Sequence, residues 1–149
     1  MILNILIGFI IPWIFGIVLF FKDKKILLVI SPFTAILAYT LNEFCFHLNF
    51  WRLIPIDMND DLTAVSTNLG LYPILGCYLI YCISKSSLNS YLIVIAFTII
   101  TTISEYIAVL FKLVKYGNGW NVGWTFVSYL IPYLLVNWYY DKLKAINVF

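Results

Sequence analysis

Residues 2–25 read ILNILIGFIIPWIFGIVLFFKDKK. From Ile2 to Phe21 the only polar side chain is Asn4, and the run closes on Lys22-Asp23-Lys24-Lys25. A helix rises 1.5 Å per residue, so about 20 residues cross the hydrocarbon of a bilayer. The stretch is long enough to span. It has no basic start and no small-residue cleavage site, and its charges follow it. That order reads as an uncleaved anchor with its N-terminus outside rather than a signal peptide.

Working outward, four further stretches have the same character. They cover Ile26 to about Leu48, Leu62 to Ser84, Tyr91 to Phe111 and about Trp120 to Tyr140. The connections are Asn49–Asp61, Lys85–Ser90 and Lys112–Gly119, and a short tail runs from Asp141 to Phe149. Composition agrees over the 149 residues: 63% are hydrophobic, 11% are charged, and mean hydropathy is +0.97. A soluble domain carries about a quarter charged residues, so lipid must solvate much of this surface. The expected fold is all-α: one integral membrane domain, residues 1–149, forming a five-helix transmembrane bundle. A four-span version would drop the Pro-containing fifth stretch. No long repeat stands out. Net charge is +2, far from the dense basic face that binds nucleic acid. Cys45, Cys77 and Cys82 lack metal spacing and read as small core fillers.

Basic residues set orientation. With the N-terminus outside, Lys22, Lys24, Lys25, Lys85, Lys142 and Lys144 are cytoplasmic, against Arg52, Lys112 and Lys115 outside. The expectation is N-out, C-in. Trp51, Tyr116, Trp120 and Trp124 then mark the outer interface, and Trp138, Tyr139 and Tyr140 the inner one.

Small and polar residues mark helix contacts in lipid. Asn4, Gly8, Pro12 and Gly16 recur every fourth residue, a face where another backbone can approach. Thr63, Ser66, Thr67 and Gly70 form a second stripe, and Thr98, Thr101, Thr102 and Glu105 a third. Most of the threonine hydroxyls are expected to bond back to their own helix. Pro12, Pro32, Pro73 and Pro132 lie inside spans, where kinks are expected.

The candidate chemistry gathers in the outer leaflet. Glu105 lies about 21 Å along its helix from Tyr91, counting 1.5 Å per residue. A carboxylate at that depth is protonated, paired or beside water, and marks either a functional site or a structural hydrogen-bond hub. Glu43 and His47 share one helix face four residues apart. They are the partners Glu105 would need as an acid or base. One histidine with carboxylates makes a poor zinc site. An oxygen-rich set of Glu43, Glu105 and the acids Asp57, Asp60 and Asp61 would suit a harder cation. A neutral polar cluster is preferred over both, so no metal and no cofactor is expected. In Tyr116-Gly117-Asn118-Gly119-Trp120-Asn121-Val122-Gly123-Trp124, Asn118-Gly119 favours a tight turn and Asn121 can cap the last helix. Asn68, Tyr116, Asn118, Trp120, Asn121 and Trp124 are the candidate binding residues, as a lid or wall over a polar pocket.

The stretch Glu105…Tyr116-x-Asn118-Gly119-Trp120-Asn121-x-x-Trp124-Thr125 resembles the ending of a family of small five-helix membrane proteins of endospore-forming Firmicutes. The acid-bearing second span, the Trp51–Pro55 connection and the overall length share the likeness. Family members often carry Asn-His after the loop proline, where this chain has Ile56-Asp57. The resemblance implies a bacterial, multi-pass plasma-membrane protein and supplies no activity.

Three functions fit these residues. The favoured one binds a membrane lipid, a small amphiphile or a partner protein in an outer-leaflet pocket. The second is an intramembrane enzyme acting on a lipid or isoprenoid, with Glu105 as acid or base and Glu43 or His47 beside it. The third is a transporter or channel subunit, which needs a homo-oligomer because no inverted repeat is visible. No serine-nucleophile, phosphate-loop, metalloprotease or redox motif is present.

Overall fold

The structure, a computed structural model, describes residues 2–54 and 64–149, with side chains from Asn4 onward. Pro55, Ile56, Asp57, Asp60, Asp61 and Thr63, on which several expectations rest, lie outside the described residues. The chain is mostly helical. The four helices are α1 (Leu6–His47), α2 (Ala64–Lys85), α3 (Ser90–Leu110) and α4 (Val122–Ala145). Residues Ile2–Ile5 lead into α1. The first three helices are long and apolar enough to cross a membrane. Helix α4 is as long as α2 and α3 but ends in a polar stretch with Asn137, Asp141, Lys142 and Lys144.

The first two expected spans are fused into α1, which is broken at Asp23. Asp23 leaves the helical region (φ −157°, ψ 82°), and its carboxylate accepts from Ile26 N–H at 3.1 Å. It therefore acts as an N-cap that restarts the helix. The packing against α2 reveals the direction of each arm. In the first arm, Gly8 meets Gly70 and Gly16 meets Ile74, so numbers rise together. In the second arm, Asn42 bonds Asn68, Thr34 packs on Gly76, and the Cys77 thiol reaches Ile26 O, so numbers run oppositely. Asp23 thus folds α1 back on itself.

Two wide π-turns, Leu6–Ile10 and Thr67–Leu71, cross where the first arm meets α2. Each ends one residue before the residue preceding a proline. Ile11 N–H bonds Leu6 O ahead of Pro12, and Tyr72 N–H bonds Thr67 O ahead of Pro73. Proline clashes with the carbonyl one turn earlier, and widening that turn absorbs the misfit. A Cβ on Gly70 would fall on the Gly8 carbonyl, so only glycine permits this crossing. Pro32 and Pro132 sit inside uninterrupted helix instead.

Two loops pair as a short antiparallel ribbon that loop-only reading did not anticipate. Strand β1 (Trp51–Leu53) faces β2 (Val114–Tyr116), with Arg52 opposite Lys115. The two helix-to-strand connections have the same geometry. After α1, Leu48, Asn49 and Phe50 N–H donate to Phe44, Phe46 and Cys45 O. After α3, Phe111, Lys112 and Leu113 N–H donate to Ile107, Val109 and Ala108 O. Adding 63 to each number of the first set yields the second. The left-handed residues Asn49 (φ 54°) and Lys112 (φ 57°) obey the same offset. So do the ribbon's flanking bonds, Ile54 N–H to Leu113 O and Gly117 N–H to Phe50 O. A local two-fold axis therefore passes between Arg52 and Lys115, and it pairs Asn42 with Glu105. The same helix-to-strand geometry thus occurs at 44–54 and again at 107–117.

Buried Leu19, Ile26, Ile30, Leu79, Ile80, Val94 and Val136 form the core. Phe21, Leu28, Ile36, Leu92, Ile100 and Leu110 are exposed, the outer surface expected of helices solvated by hydrocarbon. The threonines behave as expected. Thr98, Thr101 and Thr102 donate to Val94, Phe97 and Thr98 O, within their own helix.

Candidate functional site

Glu105 is the centre of a hydroxyl cluster. It is half-buried near the end of α3, where the ribbon and the start of α4 converge. Tyr116 Oη, from β2, donates to Oε1 at 2.9 Å. Thr125 Oγ1, in the first turn of α4, lies 3.2 Å from Oε1 and 2.8 Å from Tyr116 Oη. Tyr129 Oη, one turn further, donates to Oε2 at 2.6 Å. Hydroxyl bonds to a carboxylate are roughly twice as strong as neutral ones. Among the described residues no basic side chain forms an ion pair with Glu105; the ion pair seen there joins Lys144 to Asp141.

The cluster has an outer and an inner extension. Outward, Trp120 Nε1 donates to Thr125 Oγ1 at 2.9 Å. The Trp120 ring stacks on Phe50 at 4.9 Å and meets Trp51 edge-on at 4.7 Å. Inward, the Tyr72 ring lies 6.3 Å from that of Tyr129, and Asn42 donates to buried Asn68. Burial pushes the Tyr116 phenol above its usual range; the Thr125 bond opposes the shift and the Glu105 charge adds to it. Tyr116 therefore stays a neutral donor to the carboxylate.

Two cavities flank the cluster. One, about 360 Å³, opens between the first arm of α1, α2 and α3, with Asn4, Leu75 and Thr101 among its walls. The other is small, about 50 Å³, and lies between the second arm and α4, with Thr34, Asn42 and Tyr133 among its walls. Trp51, Tyr72, Glu105 and Tyr129 line both, so these four side chains form a partition between them. No Lys, Arg or His is among the described residues lining either cavity.

The candidate residues separate clearly. Tyr116 joins Glu105 directly and Trp120 joins it through Thr125, while Asn68 bonds Asn42, which lines one of the two cavities beside Glu105. Asn118 and Asn121 shape the turn instead. Asn118 (φ 43°) and Gly119 (φ 77°) make its tight bend, and Asn118 Nδ2 ties it to Leu48 O at 2.7 Å. Asn121 Oδ1 caps α4 by accepting from Gly123 and Trp124 N–H. Trp124 is exposed, tilted against Trp120 at 6.3 Å. Glu43 and His47 are not brought to Glu105. Both are exposed, and neither lines the two cavities or makes a hydrogen bond or ion pair among the described residues. Asn42, one residue from Glu43, takes the inward position. No group of three metal-ligating side chains forms among the described residues.

Asn42, Tyr72, Thr125 and Tyr129 were missed as site residues. Their one sequence signal is the spacing of Thr125 and Tyr129, four apart and hence on one face of α4. No family model, curated protein or solved structure matches the chain.

Proposed function

We propose that this chain is a multi-pass plasma-membrane protein that takes a small amphiphile from the outer leaflet into the Glu105 cleft. The chain crosses the bilayer five times, N-out and C-in, with the two arms of α1 as separate passes and α4 as the last. The charge grouping supports that orientation. Lys22 and Lys85 both approach the Tyr81 ring, at 6.0 and 5.9 Å, and Lys25 approaches Phe149 at 5.5 Å. One end of the bundle thus gathers lysines, while the ribbon with Arg52 and Lys115 caps the other. The likeness to the endospore-former family belongs to this reading.

The observation that carries the binding function is the shared partition. A hydrogen-bonded carboxylate stands at the wall of a large, mostly apolar cleft, which is how ligand pockets combine tail burial with a few orienting polar groups. Native mass spectrometry of the protein purified in mild detergent tests it. Wild type is expected to retain one small amphiphile per chain. Glu105→Gln, with helicity unchanged by circular dichroism, is expected to lose it. Wild type with no bound species, or equal retention in both, would refute the reading.

A further inference from the structure

We infer that the amphiphile bound at Glu105 carries a single ammonium head; the inference rests on the proposed binding function and specifies its ligand. Charge is the first observation. Glu105 accepts from the phenols of Tyr116 and Tyr129, with Thr125 beside it, yet the described residues supply it with no cation. An anion held away from water without a counter-charge is costly, and a cationic ligand supplies what the protein omits.

The walls are the second observation. The partition joins one carboxylate to three aromatic rings, those of Trp51, Tyr72 and Tyr129, and both cavities meet there. Aromatic faces attract ammonium groups through their quadrupole, and cages of rings with an acid are how alkylammonium ions are recognised. Trp51 is held edge-on against Trp120 and Phe46, so its ring is fixed in place. The third observation is the lining that faces a tail. Ile7, Leu71, Leu75, Ile100 and Ala108 form an apolar wall, and exposed Ile100 marks a side facing lipid. Among the described residues, no Lys, Arg or His lines the cavities to hold a phosphate or carboxylate head.

The test uses the full chain in nanodiscs of zwitterionic lipid and follows tryptophan fluorescence. Three probes of equal chain length are compared: an alkyltrimethylammonium ion, its uncharged isostere with carbon replacing nitrogen, and an alkyl sulfate. The ammonium probe is expected to bind at least about tenfold more tightly than the isostere, and the sulfate not to bind. Glu105→Gln is expected to erase the preference between ammonium and isostere. The comparison of probes on wild type needs no variant, so misfolding of Glu105→Gln leaves it intact. Equal binding of ammonium and isostere would overturn the ammonium head while leaving an amphiphile site standing. Preferred binding of the sulfate would overturn it likewise. Failure of all three to bind would overturn both the head group and the binding function.

Discussion

Tyr116 shows how one side chain links the ribbon to the acid. Its phenol donates to Glu105 and receives Thr125, and its burial raises its pKa. A phenol raised in the folded state stabilises the fold fully below the unfolded value of about 10. That contribution is lost as pH rises through the higher folded value, because the unfolded chain then binds fewer protons. Unfolding free energy measured in micelles is therefore expected to fall more steeply above pH 10 for wild type than for Tyr116→Phe. Identical slopes would show that Tyr116 is not coupled to folding. This contact was partly legible: Tyr116, Trp120 and Glu105 each stood out by type and position. Thr125 and Tyr129 did not, since a hydroxyl in an apolar span usually bonds to its own helix. Nothing in residue type distinguishes the Thr125 that turns to Glu105 from the Thr98 that turns to Val94.

The two helix-to-strand connections carry the clearest regularity among the elements. Each unwinds through one left-handed residue and then delivers a strand of three. Asn tolerates that conformation; Lys112 adopts it at greater cost. The alternation in Trp51-Arg52-Leu53 and Val114-Lys115-Tyr116 was a strand signal, but three residues are too few to outweigh a loop reading. Register supplies the test. In a variant lacking the three native cysteines, Leu53→Cys with Val114→Cys is expected to cross-link under mild oxidation, because those positions face each other. Leu53→Cys with Lys115→Cys is expected to remain reduced, since neighbouring strand positions point to opposite faces. Cross-linking of the second pair in preference to the first would place the ribbon in another register.

At the scale of the molecule, the ends of the bundle differ. Lysines and the C-terminal Phe149 meet at one end, and the ribbon, aromatic stack and Glu105 cluster occupy the other. With the proposed orientation, exposed Lys115 faces outside and exposed Ser87 faces the cytoplasm. Single cysteines at these positions, labelled on intact cells with a membrane-impermeant maleimide, are expected to react at 115 and to stay protected at 87. Labelling of both from outside would refute the five-pass arrangement.

Taken alone, the order of residues decided everything that depends on short windows. Solvation by lipid follows from summed transfer energies over about 20 residues. The Asn121 cap, the Asn118-Gly119 bend and the threonine back-bonds follow from neighbours within four positions. Contact between Glu105, Tyr116 and Tyr129, the outward turn of Glu43 and His47, and the pairing of the two matching helix-to-strand segments were decided only by tertiary packing. The physical cause is rotational. A helix that is apolar on every side carries no preferred face, so the rotation that brings Asn42 inward and Glu43 outward is set by close crossings such as Gly8 on Gly70.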